Sequence, residues 1–297
     1  MKKKILLTGG NGFIGTKLCK LLQKRGHDFL VLTNRETEFF MPECLKQVDL
    51  NDAQALQQVV SEYRPDAIAH LAAIASPVYG DVPAIYRVNV CGTENLLNAA
   101  CCLPEQTRVV LISTAGVYGA QEEPYLHEEL PFNPLNHYSY SKMITEVMSR
   151  QYADRLSIQI VRPFNIVGRG QNENFLIPKL VKAFRERVPQ LRMGNLDAVR
   201  DFVSVDFCVQ VLYDLLFAEK TIQPALNICT GCGNSCRDVL NLLEELTGYC
   251  PEVVVSEDFV RSNEIWSLVG DTHRLDAMVQ GRYKSPALRD ILKDMLQ

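Results

Sequence analysis

The segment Thr8–Gly15, with the sequence TGGNGFIG, constrains the fold more than any other part of the chain. It follows a short apolar run at 5–7 and leads into a helical pattern of apolar residues. Glycines at this spacing let a pyrophosphate approach the backbone and let the helix pack on the strand. Free N–H groups at the helix start also suit an anion. The segment therefore predicts dinucleotide binding, with a plain strand-to-helix turn as the alternative.

Short apolar runs alternate with helical patterns through the first half of the chain, which predicts a doubly wound parallel α/β sheet. We predict strands at 5–7, 29–32, 47–48, 67–71, 109–113 and 158–162, and helices at 12–25, 53–63, 83–100 and 138–155.

The alternation loosens after residue 162, where we predict helices at 177–187, 206–218, 237–246 and 287–295 and strands at 225–228 and 253–255. This change predicts a Rossmann-type dinucleotide domain of residues 1–165 with 201–228. A smaller, discontinuous α/β substrate-binding domain would comprise 166–200 with 229–297. Ligands of such sheets bind at the carboxyl ends of the parallel strands.

Composition excludes several classes of protein. A net charge of −4 over 297 residues gives no broad basic surface for nucleic acid. No apolar run approaches the ~20 residues of a membrane span, and the short apolar run after Lys2–Lys4 does not resemble a secretory signal. Ten cysteines in a chain of this length indicate a reducing compartment, so we expect a cytoplasmic protein. We expect no metal site, since Cys229, Cys232 and Cys236 lack a clear fourth ligand.

A tyrosine and a lysine form the candidate catalytic pair. Tyr138 and Lys142 are four residues apart in a predicted helix, so both lie on one face. A nearby ammonium would lower the pKa of the phenol and make it a proton donor and acceptor. The strand at 109–113 ends in two hydroxyls, Ser113 and Thr114, and either could hydrogen-bond a substrate oxygen.

Together these motifs resemble the extended short-chain dehydrogenase/reductases that act on nucleotide sugars. The resemblance spans nearly the whole chain. It rests on Thr8–Gly15, Asp49-Leu50, His70–Ala73, Asn89–Thr93, Thr114–Gly119, the Tyr138/Lys142 pair and Arg162–Asn165. The family pattern places the catalytic hydroxyl four residues before the tyrosine of Val-Tyr-Gly, which selects Thr114 over Ser113.

The resemblance implies the roles of individual residues toward the cofactor. Asp49 and Leu50 would contact the adenine, Lys142 the nicotinamide ribose, and Asn89 would act in structure or proton relay. The whole predicted cofactor set is Gly9, Gly12, Phe13, Ile14, Gly15, Thr33, Asn34, Arg35, Asp49, Leu50, Ala72, Ala73, Asn89, Lys142, Pro163 and Phe164.

The residues after the second predicted strand favour NADP(H), with NAD(H) as the alternative. Family members that prefer NAD usually carry a carboxylate where this chain has Thr33, and Asn34 and Arg35 follow. A carboxylate would repel a 2′-phosphate, whereas an arginine can bind it. Glu36 is the counter-evidence, because its carboxylate could turn inward.

Two stretches, 162–171 and 194–202, resemble the GDP-6-deoxy-4-keto-mannose reductases, which form GDP-rhamnose, and their GDP-sugar relatives. Arg200 matches the diphosphate clamp, and Arg261 with Glu264 matches a later phosphate and ribose contact. The predicted substrate set is Ser76, Thr114, Tyr138, Asn165, Gln171, Arg200, Arg261 and Glu264. The chain departs from the family at Arg169, where proline is usual.

The resemblance implies hydride transfer to the ketone of a GDP-linked 4-keto-6-deoxy sugar, giving GDP-rhamnose or its 4-epimer. Tyr138 would protonate the oxygen with Thr114 as second donor. Ala115 and Gly116 stand where dehydratases carry an acidic pair, which argues against elimination. The alternatives are a 4-epimerase with tightly bound NAD and, from another class, a non-catalytic redox sensor. The family also implies a homodimer built on the helices at 83–100 and 138–155.

Overall fold

The computed structural model describes residues 2–34, 42–75, 80–103, 106–256 and 265–297. Two compact units are present: the first comprises residues 1–117, 131–162 and 209–226, and the second comprises 118–130, 163–208 and 227–297. The domain limits at 165, 200 and 228 stay a prediction.

A seven-stranded sheet has the order β3-β2-β1-β4-β5-β6-β10, in which the strand order reverses beside β1. Neighbouring strands from β3 to β6 pair in parallel, so the predicted doubly wound sheet is confirmed. Its strands are β1 (Lys4–Thr8), β2 (Asp28–Thr33), β3 (Leu45–Gln47), β4 (Ala67–His70), β5 (Arg108–Ile112), β6 (Ser157–Pro163) and β10 (Leu226–Ile228).

The helices of the first unit cover the sheet because their apolar faces have a helical period. They are α1 (Phe13–Lys24), α2 (Ala53–Tyr63), α3 (Val82–Tyr86), α4 (Gly92–Cys101) and α5 (His137–Ser149), with α7 (Val205–Phe217) mostly in this unit. A π-helical turn, Arg87–Cys91, separates α3 from α4. The chain is thus helical over the predicted range 83–100, with a π-helical turn between two α-helical segments.

The core of the first unit lies between the strands and helices α2 and α4, and includes Leu6, Leu56, Ile68, Leu96 and Val109, all with essentially no exposed surface. Continuous apolar strands of this kind are typical of parallel sheets that are buried on both faces.

The second unit contains a four-stranded sheet in which β9 (Val199–Ser204) pairs with β7 (Asn165–Val167), β11 (Gly233–Ser235) and β13 (Ser267–Leu268). Strands β8 (Gln190–Met193) and β12 (Glu252–Val255) form a parallel pair. The helices are α6 (Leu176–Arg185), α8 (Cys236–Thr247), α9 (His273–Val279) and α10 (Leu288–Leu296). Among the described residues, no helix has both the length and the apolar character needed to cross a lipid bilayer.

Candidate active site

The glycine turn after β1 has the geometry that the sequence predicts. Gly9 has a φ of +70°, and a Cβ at this position would lie 2.6 Å from the backbone N of Ala72. A Cβ on Gly15 would lie 2.2 Å from the carbonyl oxygen of Gly9, so the helix packs directly on the turn. Helix α1 begins after Gly12 with no side-chain cap and no acidic residue in its first turn. Its free N–H groups and partial positive charge fit the pyrophosphate of a dinucleotide.

A chain of buried hydrogen bonds connects this turn to the neighbouring elements. The N–H of Ala72 donates to Thr8 Oγ1, which bonds His70 Nδ1 at 2.6 Å, and His70 Nε2 bonds Thr93 Oγ1 at 2.8 Å. Thr93 in turn donates to the carbonyl oxygen of Asn89. Burial, together with the charge of Lys142, lowers the pKa of His70 to about 3, so its ring is neutral.

The chain continues from Asn89 to the start of helix α5. Asn89 lies in the π-helical turn, fully buried, and its amide exchanges two hydrogen bonds with the backbone of Ile74. The same amide donates to Ser141 Oγ at 2.9 Å, and Ser141 donates to the carbonyl oxygen of Tyr138. Asn89 therefore links the backbone of Ile74 to the first turns of helix α5, and its role in structure or proton relay stays a prediction.

Thr114, Tyr138 and Lys142, the three predicted catalytic residues, lie together in the first unit. Helix α5 begins where Asn136 caps the N–H of Ser139 at 2.9 Å. The side chains of Tyr138 and Thr114 are hydrogen-bonded, and Thr114 Oγ1 also accepts from the N–H of Gly116. Ser113, the other candidate hydroxyl, instead bonds Glu146.

The protonation states differ from the sequence-based expectation for Tyr138. Burial raises the pKa of Tyr138 to about 12, although the hydrogen bond with Thr114 acts in the opposite direction. Burial also lowers the pKa of Lys142 to about 8, while the charge of Glu146 raises it. Lys142 is 1% exposed and donates to the carbonyl oxygen of Ile112 at 2.8 Å. At neutral pH the arrangement is thus a protonated phenol and a buried ammonium, four residues apart on helix α5.

The other predicted cofactor residues of the first unit lie near the carboxyl ends of its strands. Thr33 ends β2 and accepts a hydrogen bond from the amide of Asn11 at 3.3 Å, and the exposed Asn34 follows. Asp49 is exposed and Leu50 is buried, both shortly after β3. Phe13, Ile14, Ala72 and Ala73 are half-buried.

The predicted residues of the second unit lie on or beside β7 and β9. Pro163 and Phe164 are buried, and the N–H of Phe164 donates to the carbonyl oxygen of Ile228. Asn165 starts β7 opposite Phe202 of β9. Gln171 donates to the carbonyl oxygen of Ile166 at 2.9 Å. Arg200, on β9, donates to the carbonyl oxygens of Val199 and Ile265 at 2.8 and 2.7 Å.

Asp201, beside Arg200, is a buried carboxylate that the sequence reasoning missed. Its oxygens accept from the backbone N–H groups of Thr230, Gly231 and Gly270 and from the hydroxyl of Thr230. Burial raises the pKa of Asp201, and these hydrogen bonds act against that rise. The carboxylate thus fixes two loops next to the strand that carries Arg200.

Four predicted site residues lie outside the described residues: Arg35, Ser76, Arg261 and Glu264. The sequence reasoning also missed Thr93, Ser141, Glu146 and Arg162, which bond the predicted residues or their neighbours. For Glu146 a signal was present, because it repeats the four-residue spacing of Tyr138 and Lys142.

Comparisons with known proteins show the family of the chain. The model of the NAD dependent epimerase/dehydratase family matches residues 5–229. The chain is 40% identical over 294 residues to the GDP-6-deoxy-D-talose 4-dehydrogenase of Aggregatibacter actinomycetemcomitans, with 98% of this chain and 96% of that protein covered.

Two solved structures resemble the whole chain. One is RMD from Pseudomonas aeruginosa complexed with NADPH, at a TM-score of 0.85 and 25% identity, covering 100% of this chain and 97% of that one. The other is the UDP-glucose 4-epimerase of Thermus thermophilus in complex with NAD, at a TM-score of 0.82 and 28% identity, covering 99% and 97%.

Proposed function

The chain belongs to the NAD dependent epimerase/dehydratase family, and from this premise we propose that it interconverts a 4-keto group and a 4-hydroxyl on a GDP-linked 6-deoxy sugar. The observation that carries the proposal is the Thr114–Tyr138–Lys142 arrangement in a chain 40% identical to a GDP-6-deoxy-D-talose 4-dehydrogenase. The relative's name favours GDP-6-deoxy-talose, the 4-epimer of GDP-rhamnose, as the alcohol.

The protonation state of Tyr138 supports reduction of the ketone. A phenol with a pKa of about 12 holds its proton at neutral pH, so Tyr138 starts as a donor to the developing oxyanion. Thr114 is the second donor to that oxygen. Lys142, protonated below pH 8, stabilises the tyrosinate left after the transfer. A nicotinamide bound here would supply the hydride that is added to the sugar carbon.

The glycine turn and the strand ends around it would hold the dinucleotide. The pyrophosphate would lie at the N-terminus of α1, where Gly9, Gly12 and Gly15 leave the backbone accessible. Lys142 has three N–H donors, of which one reaches Ile112, so the others can meet a ribose hydroxyl. Asp49 and Leu50 remain the proposed adenine contacts.

NADP(H) is the proposed form of the cofactor. β2 ends in Thr33, which a neutral amide from Asn11 contacts, so this position presents no carboxylate to repel a 2′-phosphate. The similarity to a structure complexed with NADPH supports the same choice. Arg35→Ala should weaken NADPH binding roughly 10- to 100-fold, the range for a charged hydrogen bond, and NADH binding much less. Equal losses for the two coenzymes would refute the assignment.

Steric crowding at Gly116 argues against a dehydratase reaction. A Cβ at this position would lie 2.5 Å from Ser139 Oγ, and Ser139 is buried at the capped start of α5. An acidic side chain there would have to displace the hydroxyl of Ser139, at the start of the helix that carries Tyr138. The neighbouring Ala115 is also buried and carries no acid. The site therefore lacks the acid and base that elimination requires.

A 4-epimerase with tightly bound NAD is the second candidate, favoured by the similarity to an epimerase structure in complex with NAD. An epimerase regenerates its coenzyme in each cycle and retains it, whereas a reductase exchanges it. Chromatography of the coenzyme released on denaturing the purified protein separates the two. Stoichiometric bound NAD would favour the epimerase, and a coenzyme-free protein that binds NADPH reversibly would favour the reductase.

The nucleotide of the substrate is tested by ligand stabilisation. With NADPH present, GDP should raise the melting temperature more than UDP or dTDP at equal concentration, because only a ligand of the native state stabilises it. Arg200, Asn165 and Gln171 are the proposed contacts in the second unit. Arg200→Lys should reduce the GDP effect while leaving the NADPH effect intact. A larger shift with UDP would overturn the GDP assignment and leave the reaction type open.

We also propose a homodimer that packs helices α4 and α5 of one protomer against those of its partner. Tyr140 and Val147 lie seven residues apart on α5 and are 42% and 46% exposed, so two large apolar side chains of this helix are exposed. Val147→Glu should convert the dimer to a monomer in analytical ultracentrifugation. A wild-type chain that sediments as a monomer at micromolar concentration would contradict the proposal.

A further inference from the structure

A buried ion pair lies beside the catalytic helix. Glu146 of α5 and Arg162 of β6 are 1% and 2% exposed. Arg162 Nε donates to Glu146 Oε1 at 3.0 Å, and Arg162 Nη2 donates to Oε2 at 2.7 Å. Ser113, which directly follows β5, donates its hydroxyl to Oε1. Donors from two strand ends thus fix the position of this carboxylate.

Glu146 belongs to the same helix face as the catalytic pair. Tyr138, Lys142 and Glu146 follow each other at four-residue intervals, which places them on one side of α5. Lys142 Nζ is 2.8 Å from the carbonyl oxygen of Ile112, the last residue of β5.

Ile112, which ends β5, and the two residues that follow it each bond one member of this helix face. The carbonyl of Ile112 accepts from Lys142, the hydroxyl of Ser113 donates to Glu146, and the hydroxyl of Thr114 bonds Tyr138. Of these three bonds, only that of Ser113 goes to a helix residue that is not a catalytic candidate. Loss of this attachment would let the strand end shift against the helix.

We propose that Glu146 is a positioning residue: its carboxylate holds the end of β5 against the helix face of Tyr138 and Lys142, and it places a negative charge one helical turn from Lys142. The proposal rests on the catalytic roles proposed above for Tyr138 and Lys142. Glu146 itself touches neither reacting group through a hydrogen bond in the part of the chain that the structure describes.

The charges around Lys142 support this assignment. Burial lowers the pKa of Lys142 to about 8, and the carboxylate of Glu146 on the same helix raises it. From β4, His70 faces Lys142 as a neutral ring, because burial and Lys142 itself lower the pKa of His70 to about 3. Tyr138 is also neutral, with its pKa raised by burial to about 12. Arg162 of β6 contacts Glu146 and balances part of its charge.

The test compares Glu146→Gln with the wild-type chain by two readouts. The glutamine keeps the shape and removes the charge, so Lys142 should lose its proton at lower pH. We expect the alkaline limb of the kcat profile to move down by about one pH unit or more, the usual effect of removing an adjacent opposite charge. The NMR titration of the Lys142 Cε, assigned through Lys142→Arg, should move in the same direction without any substrate.

Two further variants separate charge from folding. Arg162→Lys keeps the positive charge and loses the paired contact, so it should lower stability and leave the Lys142 titration in place. Glu146→Gln with Arg162→Met removes both charges, so it should fold even if the single variant, in which Arg162 has lost its carboxylate partner, unfolds. In this double variant the Lys142 titration should still move to lower pH.

An unchanged Lys142 titration in the glutamine variants, with activity reduced only in proportion to the folded fraction, would overturn the proposal. An equal movement in Arg162→Lys would also overturn it, because repacking rather than charge would then be the cause. A separate outcome is that the wild-type chain consumes no coenzyme with any GDP-sugar while Glu146→Gln still moves the Lys142 titration to lower pH. In that case the proposed function fails, and the proposed effect of Glu146 on Lys142 stands.

Discussion

Two buried carboxylates, Glu146 in the first unit and Asp201 in the second, are stabilised by different means. Glu146 of the first unit is bonded by the guanidinium of Arg162 and lies near a second cation, Lys142. Asp201 of the second unit is bonded by backbone N–H groups and the hydroxyl of Thr230. A carboxylate that lies near cations changes the pKa values of those neighbours. A carboxylate bonded by backbone N–H groups instead fixes the loops that carry these groups. We therefore expect changes at Glu146 to have electrostatic consequences and changes at Asp201 to have conformational ones.

The largest effect should come from Tyr138→Phe, which tests whether the buried groups around Lys142 in the first unit act in proton transfer. Removal of the phenol should lower kcat by about 10²- to 10⁴-fold, the usual contribution of a positioned general acid. The melting temperature should change little, since the hydroxyl bonds only Thr114 among the described residues. Tyr140→Phe is the matched control: the ring lies on the same helix, is 42% exposed, and should keep full activity per folded protein. Wild-type turnover in Tyr138→Phe would remove the basis of the enzyme assignment.

Asp201→Asn should destabilise the second unit by about 2–3 kcal/mol. The asparagine replaces one accepting oxygen by an NH₂ group, so the backbone N–H groups that donate to that oxygen lose their acceptor. Urea denaturation measures this change. Asp197→Asn is the control in the same unit, since this carboxylate is 66% exposed and pairs with Arg237, and its loss should cost less than about 1 kcal/mol. The alkaline limb of kcat should not move in Asp201→Asn. A change in the alkaline limb of the kcat pH profile of Asp201→Asn would contradict the contrast between the two carboxylates.

The smallest of these effects concerns the neutral histidine of the first unit. The folded-state pKa of His70, about 3, lies below its unfolded value of about 6.5. Below pH 6.5 the unfolded chain therefore binds a proton that the folded chain refuses, and stability falls as the pH falls. This histidine should contribute roughly 1 kcal/mol per pH unit between pH 6 and 4. Urea denaturation across this range should give a shallower loss in His70→Gln, and equal slopes would show that His70 protonates in the native state.

The local pattern of the sequence was sufficient to predict the elements of the first unit. Helix α2 was predicted with its observed bounds, and β1, β2 and α1 within about two residues, because strands alternate with amphipathic helices there. The third strand lies at 45–47 rather than 47–48, and α5 ends at Ser149 before a short 3-10 turn. In the second unit β7, β8, β9, β11, β13 and α9 were not predicted, since these elements are short and pair across long sequence separations.

The candidate site was predictable where a motif is continuous in sequence. The glycine turn and the Tyr138/Lys142 pair are of this kind. The bonds from Glu146 to Arg162 and from Asn89 to Ser141 join residues 16 and 52 positions apart, and no local period encodes them. The raised pKa of Tyr138 also required the structure, because burial outweighs any effect that the four-residue spacing to Lys142 suggested.

Coenzyme stoichiometry tests the account most directly. In a mixture of the purified protein, GDP-4-keto-6-deoxy-mannose and NADPH, the nicotinamide absorbance at 340 nm should fall. The amount of NADPH oxidised should equal the amount of sugar consumed. NMR of the product should show an axial hydroxyl at C4, as in GDP-6-deoxy-talose, and Tyr138→Phe should show neither change. Conversion of one sugar epimer into the other with no net change in NADPH would contradict the account and identify an epimerase.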